Sequence, residues 1–434
     1  MNDFRATRSI HGVALLAALA LSACGGRDDA AAGAQPTVDP AAPSTVVEWT
    51  LPATLPGSAS PSLAVAPDGR LLLSWVNSQA GRRHIMQFSA FSHPQDRWLH
   101  GMSTIAIGHS MFVNWADVPH MTGTPDGALW AHWLQKSGEG AYAYDVVLSR
   151  SRDGGANWAE PVRPHDDGTQ TEHGFVSMWP QGNSTLGIAW LDGRNTGGGG
   201  HEGHDAHHAP QGAMTLRAAV FDGALQRTQE FELDDRVCDC CQTAVAQTAQ
   251  GALLVYRGRT EGEVRDILAT RFNGIDWSTP RAVHADGWEM PACPVNGPAV
   301  AATGETAIVG WYTEAGSQPE VRLARSTDSG DSFAAPVMLD SGAGVLGRIA
   351  VALDGQQAWA VWLREDGDAQ SLWLSRRSPD LATEYERIEV AKPRGRGRAT
   401  GFPVLAVQGG SAYIAWTDVV GGVPNLRGVR VGRP

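Results

Sequence analysis

The sequence predicts an all-β fold, a β-propeller of seven blades, from three observations. One phrase recurs along the chain: a short strand, a turn built on Gly or Asp, then an apolar strand ending on an aromatic. Those aromatics are Trp75, Trp133, Trp190, Tyr256, Trp311, Trp362 and Trp416, on average about 57 residues apart, and a period near 50 with four short strands per unit is that of a propeller blade. Composition agrees, because Gly 51 and Trp 16 with few long apolar helical stretches call for many short strands and tight turns. Alternation in runs such as Ala412 to Trp416 has a period of two, which excludes a helical solenoid.

In chain order, residues 1–23 read as an export leader. Arg5 and Arg8 supply a short basic region, and Val13 to Leu21 an apolar run too short to span a membrane as a mature helix. Leu21-Ser22-Ala23-Cys24 resembles a bacterial lipobox, which implies cleavage before Cys24 and lipidation of its thiol. Residues 24–44, rich in Ala, Pro, Gly and Asp, cannot bury a core and read as a flexible tether. Residues 45–434 carry the blades. The last unit, Phe402 to Val431, has room for three strands, so Val46 to Leu51 is expected to supply the fourth and close the ring. A formal net charge of −12 argues against nucleic acid and against anionic lipid headgroups as partners. With Gly25 rather than Asp after the lipidated cysteine, the expected location is the outer membrane, facing the periplasm.

Two turns carry a further pattern. Ser151-Arg152-Asp153-Gly154-Gly155-Ala156-Asn157-Trp158 and Ser326-Thr327-Asp328-Ser329-Gly330-Asp331-Ser332-Phe333 both read S-x-D-x-G-x-x-aromatic, and Asn273-Gly274-Ile275-Asp276-Trp277 is a degenerate third. In such a turn Ser and Asp cap backbone amides while the aromatic wedges between sheets. The pattern resembles the Asp box, the bacterial neuraminidase repeat of the sialidase-like propellers. That resemblance implies turns on the outside of the blades, and makes a six-bladed ring the alternative count, since catalytic sialidases have six. The chain departs from those enzymes in two further respects. Ser60-Pro61-Ser62-Leu63 stands where they have Arg-Ile-Pro, and no tyrosine nucleophile with a glutamate partner is legible.

In a propeller, the segment leading into each innermost strand comes from the rim of the central channel. Those segments hold Trp115, Asp117 and His120; Glu172 and His173; Cys238, Cys240 and Cys241; Cys293 and Asn296; Arg348; and Arg394, Arg396 and Arg398. Val237-Cys238-Asp239-Cys240-Cys241 holds three of the five cysteines. In an extended strand Cys238 and Cys240 would share a face and Cys241 the other, with Cys293 arriving from the neighbouring blade. Three readings stay open: structural disulfides, a redox-active disulfide, or a soft-metal site for copper or zinc. Beside them a glycine-led loop carries His201, His204, His207 and His208, a metal-catching composition, and His173 is a further candidate ligand.

Sialidases clamp a substrate carboxylate with three arginines, whose planar forks match it in two bonds. Arg194, Arg257 and Arg265 are the candidates here, with Asp192 or Glu263 as general acid; the competing reading pairs them with those carboxylates to hold blades together. Three function classes follow. The first is an envelope lipoprotein whose Cys/His-rich mouth binds a soft metal or a small ligand. The others are a sialidase-like glycoside hydrolase acting on a carboxylated sugar and a disulfide-stapled scaffold for protein partners.

Overall fold

The computed structural model describes residues 41–52, 54–78, 81, 83–197 and 212–432. Cys24 and the loop with His201, His204, His207 and His208 lie outside the described residues. Seven small antiparallel sheets form the blades of a seven-bladed propeller. Blade 1 opens with Ser58–Val65 and Leu71–Asn77, blade 2 centres on Leu129–Lys136 and Tyr144–Ser151, and blade 3 runs from His173–Pro180 to Arg227–Asp234. Blade 4 opens with Ala244–Thr248 and Gly251–Arg257, blade 5 with Ala299–Thr303 and Thr306–Thr313, and blade 6 with Val345–Leu353 and Ala358–Asp366. Blade 7 takes Val404–Gln408, Ser411–Val420 and Val423–Gly432, and its outer strand is Thr45–Glu48, paired from Thr45↔Gly432 to Glu48↔Val429. The N-terminal strand therefore closes the last blade, and the inner strand of blade 7 packs beside that of blade 1.

All seven repeat aromatics fall in the second strand of their blade and are buried. That strand is flanked on both edges and covered on both faces, so in blade 1 every residue of Leu71–Asn77 is buried. In the outermost strand of blade 3, Arg227–Asp234, no residue is buried; Thr228 and Glu232 are exposed and the rest half-buried. The apolar cores lie between adjacent sheets: Trp130, Tyr144, Val176 and Trp190 join blades 2 and 3, and Trp49, Trp75 and Tyr413 join blades 7 and 1. Burying about 200 Å² of aromatic surface contributes roughly 5 kcal/mol, against about 1 kcal/mol for strand propensity. Blade stacking therefore dominates the stability.

Adjacent blades are also locked at the channel. Three innermost strands bulge, and at each bulge a residue sits at positive φ: Ser60 (56°), Phe175 (52°) and Arg348 (52°). The freed amide is taken by a side chain of another blade. Ser60 N–H donates to Thr417 Oγ1 at 3.1 Å, Phe175 N–H to Asp117 Oδ1 at 2.8 Å and Arg348 N–H to Asn296 Oδ1 at 2.8 Å. Gly174 allows the middle one, since a Cβ there would stand 1.9 Å from Asp117 Oδ2.

The two S-x-D-x-G turns follow the third strands of blades 2 and 5. In the first, the Ser151 hydroxyl donates to Asp153 Oδ1 at 2.8 Å and accepts from Gly155 N–H at 2.9 Å, while Asn157 N–H donates to Asp153 at 2.9 Å. Ser326, Asp328, Gly330 and Ser332 repeat this at 2.7, 2.8 and 2.9 Å. Gly155 has φ +90° and Gly330 +94°, and a Cβ at either would strike Phe88 or Leu253 of the preceding blade. Ser378 and Asp380 build a related turn after the third strand of blade 6, with Thr383 N–H donating to Ser378 Oγ at 3.0 Å. With Ala382 where the pattern has glycine, it escapes the sequence pattern.

Candidate functional site: a four-thiol cluster at the channel rim

One cavity of about 130 Å³ lies on the channel axis, with Pro61, Asp117, Phe175, Thr243, Pro298, Ile349 and Phe402 contributing one residue from each blade. The segments leading into the blades thus do meet, as their place in the repeat predicts. Gln242 ties three of them, donating to Ala116 O at 2.7 Å and accepting from Gly297 N–H at 3.0 Å.

Gln242 directly follows the cysteines, which occupy a turn rather than the expected extended strand. Val237 still bridges Gly258, and Cys238 N–H donates to Arg257 O at 3.0 Å, but the chain then reverses through Asp239 and Cys240. Alternation of faces does not apply within a turn, so Cys238, Cys240 and Cys241 all converge. Cys238 Sγ lies 3.3 Å from Cys241 Sγ and 3.7 Å from Cys240 Sγ. Cys293, ahead of blade 5, completes the set: its Sγ, Cys240 Sγ and an Asp239 carboxylate oxygen lie within 4.8 Å of one another. All four are free thiols. Two are fully buried, Cys240 is half-buried and Cys293 is exposed, so the cluster opens at one corner.

The thiols are electrostatically unequal. Burial opposes ionisation of Cys238, yet hydrogen bonds with Cys240 and Cys241 and the Arg265 guanidinium hold it well below the usual thiol range. The hydrogen bond to Cys238 pushes Cys240 well above it, and burial does the same to Cys241. Arg265 is buried, and its Nη1 and Nε have no hydrogen-bond partner; Nη1 faces Asp239 at 3.7 Å.

The arginines do not form a carboxylate clamp. Arg194 is bidentate to Asp192, through Nε to Oδ1 and Nη2 to Oδ2, each at 2.8 Å. Arg257 is buried, gives two bonds to Asn296 O and one each to Arg265 O and Tyr312 O, and its guanidinium caps the Trp288 ring. Glu263 pairs with Arg259 and Arg265, both at 2.7 Å. Burial opposes ionisation of Asp192 and Glu263, but these partners outweigh it and hold both carboxyls below their ordinary range. A general acid needs the reverse.

His173 stands apart from the thiols. It groups with Asp145 and His165, and with Asp167 and Asp192, at the junction of blades 2 and 3. Burial pushes His165 down to about 4, while Thr169 overcomes burial at Asp167 and keeps that carboxyl well below its usual range.

Sequence reasoning missed an acid pair between the two regions. Tyr144 donates to Glu172 Oε1 at 2.7 Å and reaches Asp117 Oδ2 at 3.1 Å. Burial raises Asp117 to about 7, and burial with the Asp117 and Asp239 carboxylates raises Glu172 to about 8. This is a tyrosine–glutamate contact across a blade boundary, but Tyr144 is wholly buried and burial drives its hydroxyl well above the usual range.

No family model matches the chain, and no curated protein matches it. Solved structures do. Polysaccharide lyase Uly1 shares 6% identity over 86% of this chain and 90% of its own, with a TM-score of 0.50. A protein of unknown function from Dyadobacter fermentans shares 13% over 90% and 98%, at 0.49. A mutant NanB sialidase of Streptococcus pneumoniae shares 11% over 90% and 70%, at 0.43. The likeness is one of fold.

Proposed function

We propose that the protein is an envelope lipoprotein whose propeller rim, between blades 4 and 5, holds a soft metal ion, copper(I) or zinc, on Cys238, Cys240, Cys241 and Cys293. One observation carries this: three free thiols converge in one turn, and a fourth, Cys293, about 50 residues further on, adjoins them through Cys240 and Asp239. Thiolates around tetrahedral zinc, with bonds of about 2.3 Å, stand about 3.8 Å apart. The 3.3 and 3.7 Å separations are close to that spacing, and an all-sulfur donor set favours copper(I) and zinc over harder ions. Metal bound here replaces the thiol protons and leaves Arg265 and Arg259 to balance Asp239 and Glu263. The exposed Cys293 corner is the route for exchange with a donor or acceptor. Residues 1–23 would direct export, and a lipid on Cys24 would place the rim in the periplasm.

The test is anaerobic titration of the full chain with copper(I) against a competing chromophoric chelator. One equivalent bound, lost in Cys238→Ser, supports the reading; no binding, or binding indifferent to Cys238, removes it.

A second reading, glycan processing, is favoured by Asp117, a carboxyl raised to about 7 on the channel cavity. It replaces Asp192 and Glu263 as the acid. Ulvan, arabinan and a sialoside are the probes, with product formation abolished in Asp117→Asn as the required outcome.

A further inference from the structure

We infer that the junction of blades 2 and 3 holds a second, separate cation site, in which His165 Nε2, His173 Nδ1 and an Asp145 carboxylate oxygen bind a borderline divalent ion such as zinc. The inference does not depend on the cysteines. Asp145 comes from the third strand of blade 2, His165 from the connector to blade 3, and His173 opens the inner strand of blade 3. All three side chains are more than nine-tenths buried.

The tautomers are set from behind. His165 Nδ1 and His173 Nε2 both approach the same oxygen, Asp167 Oδ2, at 3.2 and 3.1 Å. A carboxylate only accepts, so each ring spends its N–H on Asp167 and presents a lone pair at its other nitrogen. Those nitrogens, His165 Nε2 and His173 Nδ1, are buried and have no hydrogen-bond partner. Each lies 3.9 Å from Asp145 Oδ1, another acceptor. Three lone-pair donors thus lie within 4.8 Å of one another with no proton among them. Unpaired buried acceptors are costly, and a cation satisfies all three.

Two imidazoles oriented by one carboxylate, with a second carboxylate as third ligand, form a metal-binding set complete with its supporting shell. Asp145 Oδ2 is held by Arg163 Nε at 2.6 Å, which fixes Oδ1 toward the rings; the Arg163 side chain is 57% exposed and forms the outer wall. The carboxylates Asp145, Asp167 and Asp192 outnumber the guanidiniums Arg163 and Arg194 by one, so charge also favours a cation. A tetrahedral ion with bonds of about 2.1 Å needs ligand atoms about 3.4 Å apart. Binding therefore draws each nitrogen about half an ångström closer to Asp145 Oδ1 and splays the stacked rings, whose centroids lie 3.8 Å apart.

Cobalt(II), titrated into the full-length wild-type chain, separates the two sites by spectrum. Ligation by nitrogen and oxygen gives weak visible d–d bands, whereas thiolates add strong near-ultraviolet charge transfer. The expected result is a component with d–d bands alone that zinc displaces, persists in Cys238→Ser and vanishes in His165→Ala. Asp167→Asn, which leaves all three ligands in place, should weaken it by about 10- to 100-fold. Should His165→Ala not fold, nitrogen-15 NMR of wild-type imidazoles serves: zinc must shift His165 Nε2 and His173 Nδ1. The inference is overturned if no such component forms, if it survives His165→Ala, or if zinc leaves both nitrogens unmoved.

Discussion

The cysteine cluster of blades 4 and 5 and the imidazole–carboxylate cluster of blades 2 and 3 sit on the same ring but are built in opposite ways. Three of the four thiols come from one turn of four residues, partly open to solvent and next to the Arg265 and Arg257 guanidiniums. The second cluster takes its members from a strand, a connector and another strand, buries all of them, and orients both rings through Asp167. Local construction gives an adjustable, exchangeable site. Assembly across a blade junction gives an enclosed one, whose occupancy should reinforce the fold.

The largest effect expected is on metal selectivity. Cys240→Ser should reduce copper(I) retention from one equivalent to background and leave cobalt binding at the blade 2–3 junction intact, as read by elemental analysis and the visible spectrum. Loss of both together would break the distinction.

The acid pair between the clusters gives the next effect. Asp117 and Glu172 have folded values, about 7 and about 8, above those of the unfolded chain. The native state therefore holds more protons than the unfolded state between about pH 4 and 8, so stability is greatest below that window and falls as pH rises through it. A fall of up to about 7 kcal/mol from pH 5 to 9 follows from the two values, visible as a declining Tm. Glu172→Gln should flatten the decline. A flat wild-type profile would mean the pair is not buried as described.

Arg265 then sharpens the account of the thiols. Arg265→Met should move the pH midpoint of Cys238 alkylation up by about one unit or more, while Arg265→Lys, which keeps the charge, moves it less. An unmoved midpoint would assign the thiolate to the sulfur hydrogen bonds alone. The smallest effect is a control remote from both clusters. Ser151→Ala removes the acceptor of Gly155 N–H and should cost about 1 kcal/mol in urea unfolding without changing metal binding.

How much of this the sequence showed follows from the range of the interactions. Seven buried aromatics in seven second strands make the ring legible, because each blade repeats one local solution. The thiols are legible because Cys238, Cys240 and Cys241 are neighbours in the chain, although their convergence depends on a turn at Asp239 and Cys240 that alternation does not reveal. Arg194, Arg257 and Arg265 are visible as residues but not as contacts. Which of them meets a carboxylate, and which is absorbed by the carbonyls of Asn296, Arg265 and Tyr312, is decided by how blade 4 stacks on blade 5. Tyr144 with Glu172, and Asp145 with His165 and His173, depend on the junction of blades 2 and 3, to which no pattern within one blade gives access.

The most direct test of the central claim is metal content and thiol count, measured together on the full chain purified without chelator. The account predicts near-stoichiometric copper or zinc and four thiols, Cys24 apart, that become reactive once the metal is stripped. Absence of metal, with no reactive thiol after denaturation, would contradict it and make Cys238, Cys240, Cys241 and Cys293 disulfide staples.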